Sequence, residues 1–192
     1  MKFSSRKYVV ISLVWCVLGG PVIAQDFTKH SIKNSLGVGA VSTKTVDDAF
    51  GLFYAIGYQK DINERLRINP GLALGRFSTR MTTDVPDVYF NNTHLYSKLS
   101  YDPVKTGPFS IVGNIGVLTG ISKGLKGTGG EMNTSQRSVY FTDYNVGGST
   151  GLGFRFNHSH KRTILHVLPV NFEYGTSRYY AYSFMVEYDF KL

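Results

Sequence analysis

Cysteine is nearly absent: the 192-residue chain has one, Cys16, inside an apolar N-terminal run. One thiol cannot bridge the chain to itself, so a small disulfide-stapled scaffold is excluded and stability has to come from a sizeable core or from lipid. Long apolar runs are equally scarce after Ala24, because Gly, Ser, Lys or Asp interrupts each one, and none approaches the roughly 20 residues a membrane-crossing helix requires. Internal repeats, low-complexity tracts and basic runs of the nucleic-acid-binding kind are missing too, so no nucleic-acid partner is expected. The formal charge is +8, and since Lys2, Arg6 and Lys7 supply three of those cations without any acid among the first 24 residues, +5 remains for the rest of the chain.

What is present begins with an export signal. Lys2, Arg6 and Lys7 form its basic start and Tyr8 to Leu18 its apolar run. Gly19, Gly20 and Pro21 break that run, and Val22-Ile23-Ala24 offers the small residues a signal peptidase accepts. Cleavage is expected before Gln25, dividing the chain into a signal peptide, 1–24, and one domain, 25–192. Trp15 is too bulky for the position before a lipoprotein cysteine, so Cys16 is expected to leave with the signal.

The domain shows the period-two alternation of β-strands. In the last segment Tyr180, Tyr182, Phe184, Val186, Tyr188, Phe190 and Leu192 fall on one face, and Ala181, Ser183, Met185, Glu187, Asp189 and Lys191 on the other. Seven earlier segments repeat the pattern, at 35–42, 50–60, 65–77, 93–101, 109–119, 144–156 and 163–174. Most are about the 9–11 residues that cross a bilayer at a tilt. Pro70 and Pro169 fall inside two of them and predict bulges, because proline cannot donate to a sheet ladder. Short turn-rich links at 61–64, 102–108 and 157–162 largely alternate with links on the opposite end, two of them long, at 78–92 and 120–143. That asymmetry is how outer-membrane barrels are arranged, with short periplasmic turns and longer external loops.

Alternation alone suits two barrels: one facing lipid with its apolar side, and a soluble periplasmic carrier with that side inward. Aromatic placement favours the first, since Tyr and Trp collect at the rims of a lipid-facing band. The expected rim is Tyr54, Tyr58, Phe154, Phe156, Tyr180, Tyr182, Tyr188 and Phe190. The other face supplies Arg67, Lys98, Arg155, Glu173, Glu187 and Asp189, expected to form a lumen charge network, with glycines making room inside a barrel just wide enough for side chains to fill. The predicted fold is all-β: an eight-stranded antiparallel up-and-down transmembrane barrel.

On these residues the chain resembles the small eight-stranded outer-membrane barrels of the OmpX and OmpA-transmembrane type, and the outer-membrane β-barrel domain proteins common in Bacteroidetes. The resemblance spans the domain and is strongest in Tyr182 to Leu192, which looks like the C-terminal signal read by the barrel-assembly machinery. That family usually ends on an aromatic, whereas here Leu192 is last, with Tyr188 and Phe190 on the same face. The resemblance implies a bacterial outer-membrane location, contact with outer-membrane lipids and with the assembly machinery, and an external ligand of unspecified kind. Families of this shape include adhesion and stress-response proteins, small pores and lipid-modifying enzymes, and fold alone does not choose among them.

Candidate chemistry is sparse. His158-Ser159-His160 invites comparison with outer-membrane lipid A deacylases, which use a Ser, a His and an acid, since an activated serine needs a base held by a third group. Here the three fall in an inner-side turn, and a solvated turn is expected. Two histidines without a nearby carboxylate or thiol also make a poor metal site. Glu173, Glu187 and Asp189 could act as paired acids and bases, but with Arg and Lys on the same face a structural ion-pair network is expected. The stretch Gly124 to Gly130 lacks phosphate-loop spacing and is expected to be a mobile external loop. His30, His94 and His166 are expected to pack or to lie at an interface. No cofactor, metal or catalytic residue is predicted, and a non-enzymatic barrel is the leading expectation over a lipid-modifying hydrolase or a soluble lipid carrier.

Overall fold

Alternating apolar and small or polar residues place one face of each segment outward and the other inward, and eight such strands close on themselves. The computed structural model describes residues 30–79, 88–128, 137–157 and 163–192. Its strands are β1 (His30–Ser42), β2 (Ala49–Asp61), β3 (Leu66–Ser78), β4 (Val88–Thr106), β5 (Phe109–Thr128), β6 (Arg137–Asn157), β7 (Thr163–Gly175) and β8 (Tyr180–Lys191). Each pairs antiparallel with the next, and β1 pairs with β8 from Ser31↔Lys191 to Ser42↔Tyr180, closing the barrel. Closure leaves no free sheet edge around the wall.

All eight expected strands are present, with three corrections to their extent. β1 starts five residues earlier than the alternation suggested, at His30. β4, β5 and β6 have 19, 20 and 21 residues, against 12 or 13 in the others. Of the expected long loops, 88–92 and 120–128 are strand, while 80–87 and 129–136, with Gly129 and Gly130, lie outside the described residues. Gly124 and Gly127, read as loop residues, belong to β5, paired with Phe141 and Ser138 of β6. Glycine and lysine signalled a loop there because they lack strand propensity, yet the backbone ladder with β6 holds them extended.

The third correction concerns Asp102. Expected in a connection over 102–108, it lies within β4, whose turn to β5 is only Gly107-Pro108, with Gly107 at φ 58°. Glycine first in a two-residue hairpin supplies the positive φ such a turn demands. β4 accommodates the change through a bulge between Tyr101 and Val104. Of the two expected proline bulges, one forms: β7 carries an extra residue around Pro169 relative to both β6 and β8. Pro70 forms none. Its β4 register runs unbroken, and its β2 pairing simply lapses opposite Asn69 and Pro70.

Candidate functional site: a filled lumen and an apolar exterior

Inward-facing residues fill the barrel in two zones. Toward the end with links 43–48 and 79–87, Val41, Val46, Phe77, Phe90 and Phe141 form a buried apolar cluster with Phe53, Leu118 and Tyr179. Its rings meet edge-on or stacked: Phe53–Phe77 at 4.8 Å, Phe77–Phe90 at 5.3 Å and Phe90–Phe141 at 5.9 Å between centroids. The β1–β2 turn folds over this cluster. Thr43 and Thr45 donate to Asp143 of β6 at 2.9 and 3.1 Å, and Lys126 of β5 donates to the Thr45 carbonyl at 2.9 Å.

Below it the lumen is ionic. Midway, Glu173 accepts from the Tyr179 hydroxyl at 3.0 Å and lies 3.6 Å from His94 Nδ1, while Asn92 donates to Tyr179 and Ser122 donates to Asn92. Tyr179 stands in the turn before β8, where burial, reinforced by the Glu173 carboxylate, pushes its hydroxyl pKa well above the ordinary value. Lys98 reaches Asn171 at 3.4 Å and lies 5.0 Å over the Tyr96 ring. Further in, Lys33 binds Glu187 at 2.8 Å and approaches Asp189 at 3.9 Å, and His166 Nε2 lies 3.0 Å from Asp189. At the inner end Asp102 is shared by two arginines: Arg67 grips it with both terminal nitrogens, and Arg155 Nη1 reaches it at 3.3 Å. Such opposed pairs are what a buried charge requires, because an unpaired one loses its hydration without compensation.

Midway along the lumen space is nearly taken up, while at the inner mouth a hollow of about 150 Å³ opens among Asp61, Ser110, Arg155 and Lys191. The enclosed cavity among Ser35, His94, Tyr96, Lys98, Glu173 and Glu187 measures about 20 Å³, room for roughly one water. Paired glycines make way for the largest central side chain: Gly57 of β2 faces Gly71 of β3, and both lie under the Tyr96 ring. A Cβ at Gly71 would collide with that ring and stand 2.6 Å from the Ile56 carbonyl.

The six residues expected to line the lumen, Arg67, Lys98, Arg155, Glu173, Glu187 and Asp189, all point inward, but in separate clusters. Arg67 and Arg155 meet at Asp102, Glu187 and Asp189 meet at Lys33 and His166, Glu173 has His94 and Tyr179, and Lys98 has Asn171. Lys33, Asp102, His94, His166 and Tyr179 were not anticipated as members. Two of them continue an alternation already visible, Lys33 ahead of Ser35-Gly37-Gly39 and Asp102 after Lys98-Ser100. His94 and His166, expected to pack or lie at an interface, are buried beside carboxylates. His158, Ser159 and His160 lie outside the described residues, and among those described no group of three or more His, Cys, Asp or Glu side chains is arranged to hold a metal ion.

The exterior is the reverse of the lumen. Leu95, Ile115, Val117 and Val146 are each more than 60 % exposed. The eight expected rim aromatics, Tyr54, Tyr58, Phe154, Phe156, Tyr180, Tyr182, Tyr188 and Phe190, all point outward. Tyr54 is central in β2 rather than at an end, its hydroxyl donating to Asn34 of β1 at 2.9 Å, which pairs two polar groups on the outward face. Tyr182 donates to the Pro169 carbonyl at the β7 bulge.

No family model and no curated protein sequence matches the chain. Solved structures do. The attachment invasion locus protein Ail of Yersinia pestis aligns over 86 % of this chain and 99 % of its own, at 12 % identity and a TM-score of 0.56. A major outer membrane protein from Thermus thermophilus aligns over 85 % and 99 %, at 12 % identity and a TM-score of 0.56. Neisserial surface protein A aligns over 85 % and 97 %, at 15 % identity and a TM-score of 0.54. At such identities the likeness is one of fold, and the fold is that of the small closed outer-membrane β-barrels.

Proposed function

We propose that the chain is an integral outer-membrane barrel of a bacterium, non-enzymatic, with a structural or surface-contact role. The observation that carries this is the belt of outward Leu, Ile, Val, Phe and Tyr side chains encircling a lumen of paired charges. A monomer in water rarely exposes a contiguous apolar patch beyond a few hundred Å², whereas hydrocarbon solvates this belt and closure satisfies every ladder. The soluble-carrier alternative needs the greasy faces inward, and Phe184, Val186 and Tyr188 point outward.

Export by residues 1–24, assembly through β8 and contact with membrane lipids follow from the same reading. A filled lumen supports a wall without a solute path, and the described links 43–48 and 176–179 lie at the end where external contacts would be made. Among the fold relatives, Ail has been solved with the heparin analogue sucrose octasulfate, and contact with an external partner through this end suits the present chain. Pairing of the lumenal carboxylates with cations leaves them a structural task rather than acid or base chemistry.

Carbonate washing of membranes tests the proposal: the protein should stay with the membrane and migrate differently on gels before and after boiling. Release by carbonate without detergent sinks it. Placing a charge in the belt, Leu95→Arg, should cost about 2–4 kcal/mol in lipid, and no change in unfolding free energy counts against insertion. N-terminal sequencing of the membrane form should begin at Gln25.

A further inference from the structure

Strand alternation sorts the charges of this barrel by sign as well as by face. Asp61, Asp102, Asp143, Glu173, Glu187 and Asp189 all occupy inward positions, and no carboxylate lies on the outward face of any described strand. The outward face carries Lys60, Arg76 and Lys123 instead, with Lys105 near the inner end of β4. Lys60 and Lys105 stand at the end with the short turns, where Lys105 pairs with Glu64 at 3.5 Å. Arg76 and Lys123 stand at the opposite end, in one row with a single strand between them.

Their placement follows from register. Arg76 of β3 faces Asn91 of β4, Asn91 faces Lys123 of β5, and Lys123 faces Thr142 of β6. Four exposed polar side chains thus form one row across four strands. With strands about 4.8 Å apart, the Arg76 and Lys123 backbones are separated by roughly 10 Å, a span that two long cationic arms can close around one anionic group. Arg76 is steadied by the Tyr89 ring, its guanidinium carbon 4.7 Å from the centroid. Two hollows flank the row and share Asn91 and Thr93: one of about 480 Å³ between Tyr89 and Tyr140 with Ile121 beneath, and one of about 440 Å³ floored by Leu36, Leu52 and Leu74. Paired cations with no carboxylate on their face among the described residues, donors between them and apolar hollows alongside complement an amphiphile with a phosphate head and hydrocarbon tails.

We propose that the row Arg76, Asn91, Lys123 and Thr142 is a binding site for the anionic phosphate headgroup of an outer-leaflet lipid, whose acyl chains lie in the two adjoining hollows. The inference rests on the membrane reading above and adds a specific lipid contact to it.

The test uses the full chain purified from membranes in detergent and titrated with bisphosphorylated lipid A, with phosphatidylcholine as the zwitterionic comparison. Wild type should prefer lipid A, and R76Q/K123Q should weaken its binding about tenfold or more. R76K/K123R should keep most of the affinity, and K60Q/K105Q, which removes the same charge at the opposite end, should leave it unchanged. Equal lipid A affinity in wild type and R76Q/K123Q overturns the site, as does an equal loss in K60Q/K105Q. Displacement of lipid A by millimolar inorganic phosphate would assign the row to a free anion and also overturn it. Heat-modifiable migration is followed for every variant. A folded, detergent-dependent barrel without lipid preference defeats this inference alone, whereas a chain soluble without detergent defeats the membrane reading itself.

Discussion

The two halves of the lumen reach the same closed state by different physics. The outer half, around Phe77, Phe90, Phe141 and Val46, is filled by aromatic and branched side chains that need no partner beyond close contact. The inner half is filled by Lys33, Arg67, Arg155 and His166 against Asp102, Glu187 and Asp189, with Val112, Ile164 and Leu168 buried between them. Dispersion in the first half is shared over many weak contacts, so losing one ring removes one portion. Coulombic pairing in the second half is shared among few groups, so removing one partner strands the others at buried positions.

That contrast predicts an order of effects, measured by urea unfolding of lipid-reconstituted barrels. Asp102→Ala should be the worst, about 3–5 kcal/mol, because it removes the carboxylate that Arg67 and Arg155 share. Replacing the whole triad, Arg67→Met with Asp102→Leu and Arg155→Met, should recover most of that loss, and a triple variant as unstable as the single one would refute the account. Phe90→Ala should cost about 3 kcal/mol in the outer half, with no second-site substitution of a charge able to restore it. Gly71→Ala should cost about 1–3 kcal/mol through overpacking against Tyr96, and Tyr96→Leu in the same chain should relieve it. Relief by Tyr96→Leu failing to appear would mean that the Ile56 carbonyl, not the ring, is the obstacle. Tyr179→Phe should be mildest, about 1 kcal/mol, since it removes the hydrogen bond to Glu173 where the two halves meet but keeps the ring against His94.

The division of each strand into two faces was legible from alternation, and the placement of aromatics indicated which of them looks outward. Tyr180 to Phe190 point outward and Ala181 to Asp189 inward, as a strict period of two demands. The members of the charge clusters were only half legible. Glu187 and Asp189 are visible in β8, but their partners are Lys33 on β1, a neighbour only because the barrel closes, and His166 on β7, set opposite Glu187 by the hairpin register. Asp102 was hidden by the proline and glycine after it, which look like a turn when the ladder to β5 is not known. The row of Arg76 and Lys123 was equally invisible, since 47 positions separate two residues that the registers of β3, β4 and β5 bring into one row on either side of Asn91.

Local order therefore came from the sequence by itself: eight alternating segments, which face of each is apolar, and that the acidic groups of the strands belong inside. These depend on the direction of successive side chains along one strand, which any short stretch of chain already encodes. Tertiary structure decided the pairings: which carboxylate meets which cation, that Pro169 bulges while Pro70 does not, and that β4 to β6 rise past their neighbours. Those outcomes depend on the register of eight strands closing into one ring, and a register is a relation between distant segments that no single segment contains.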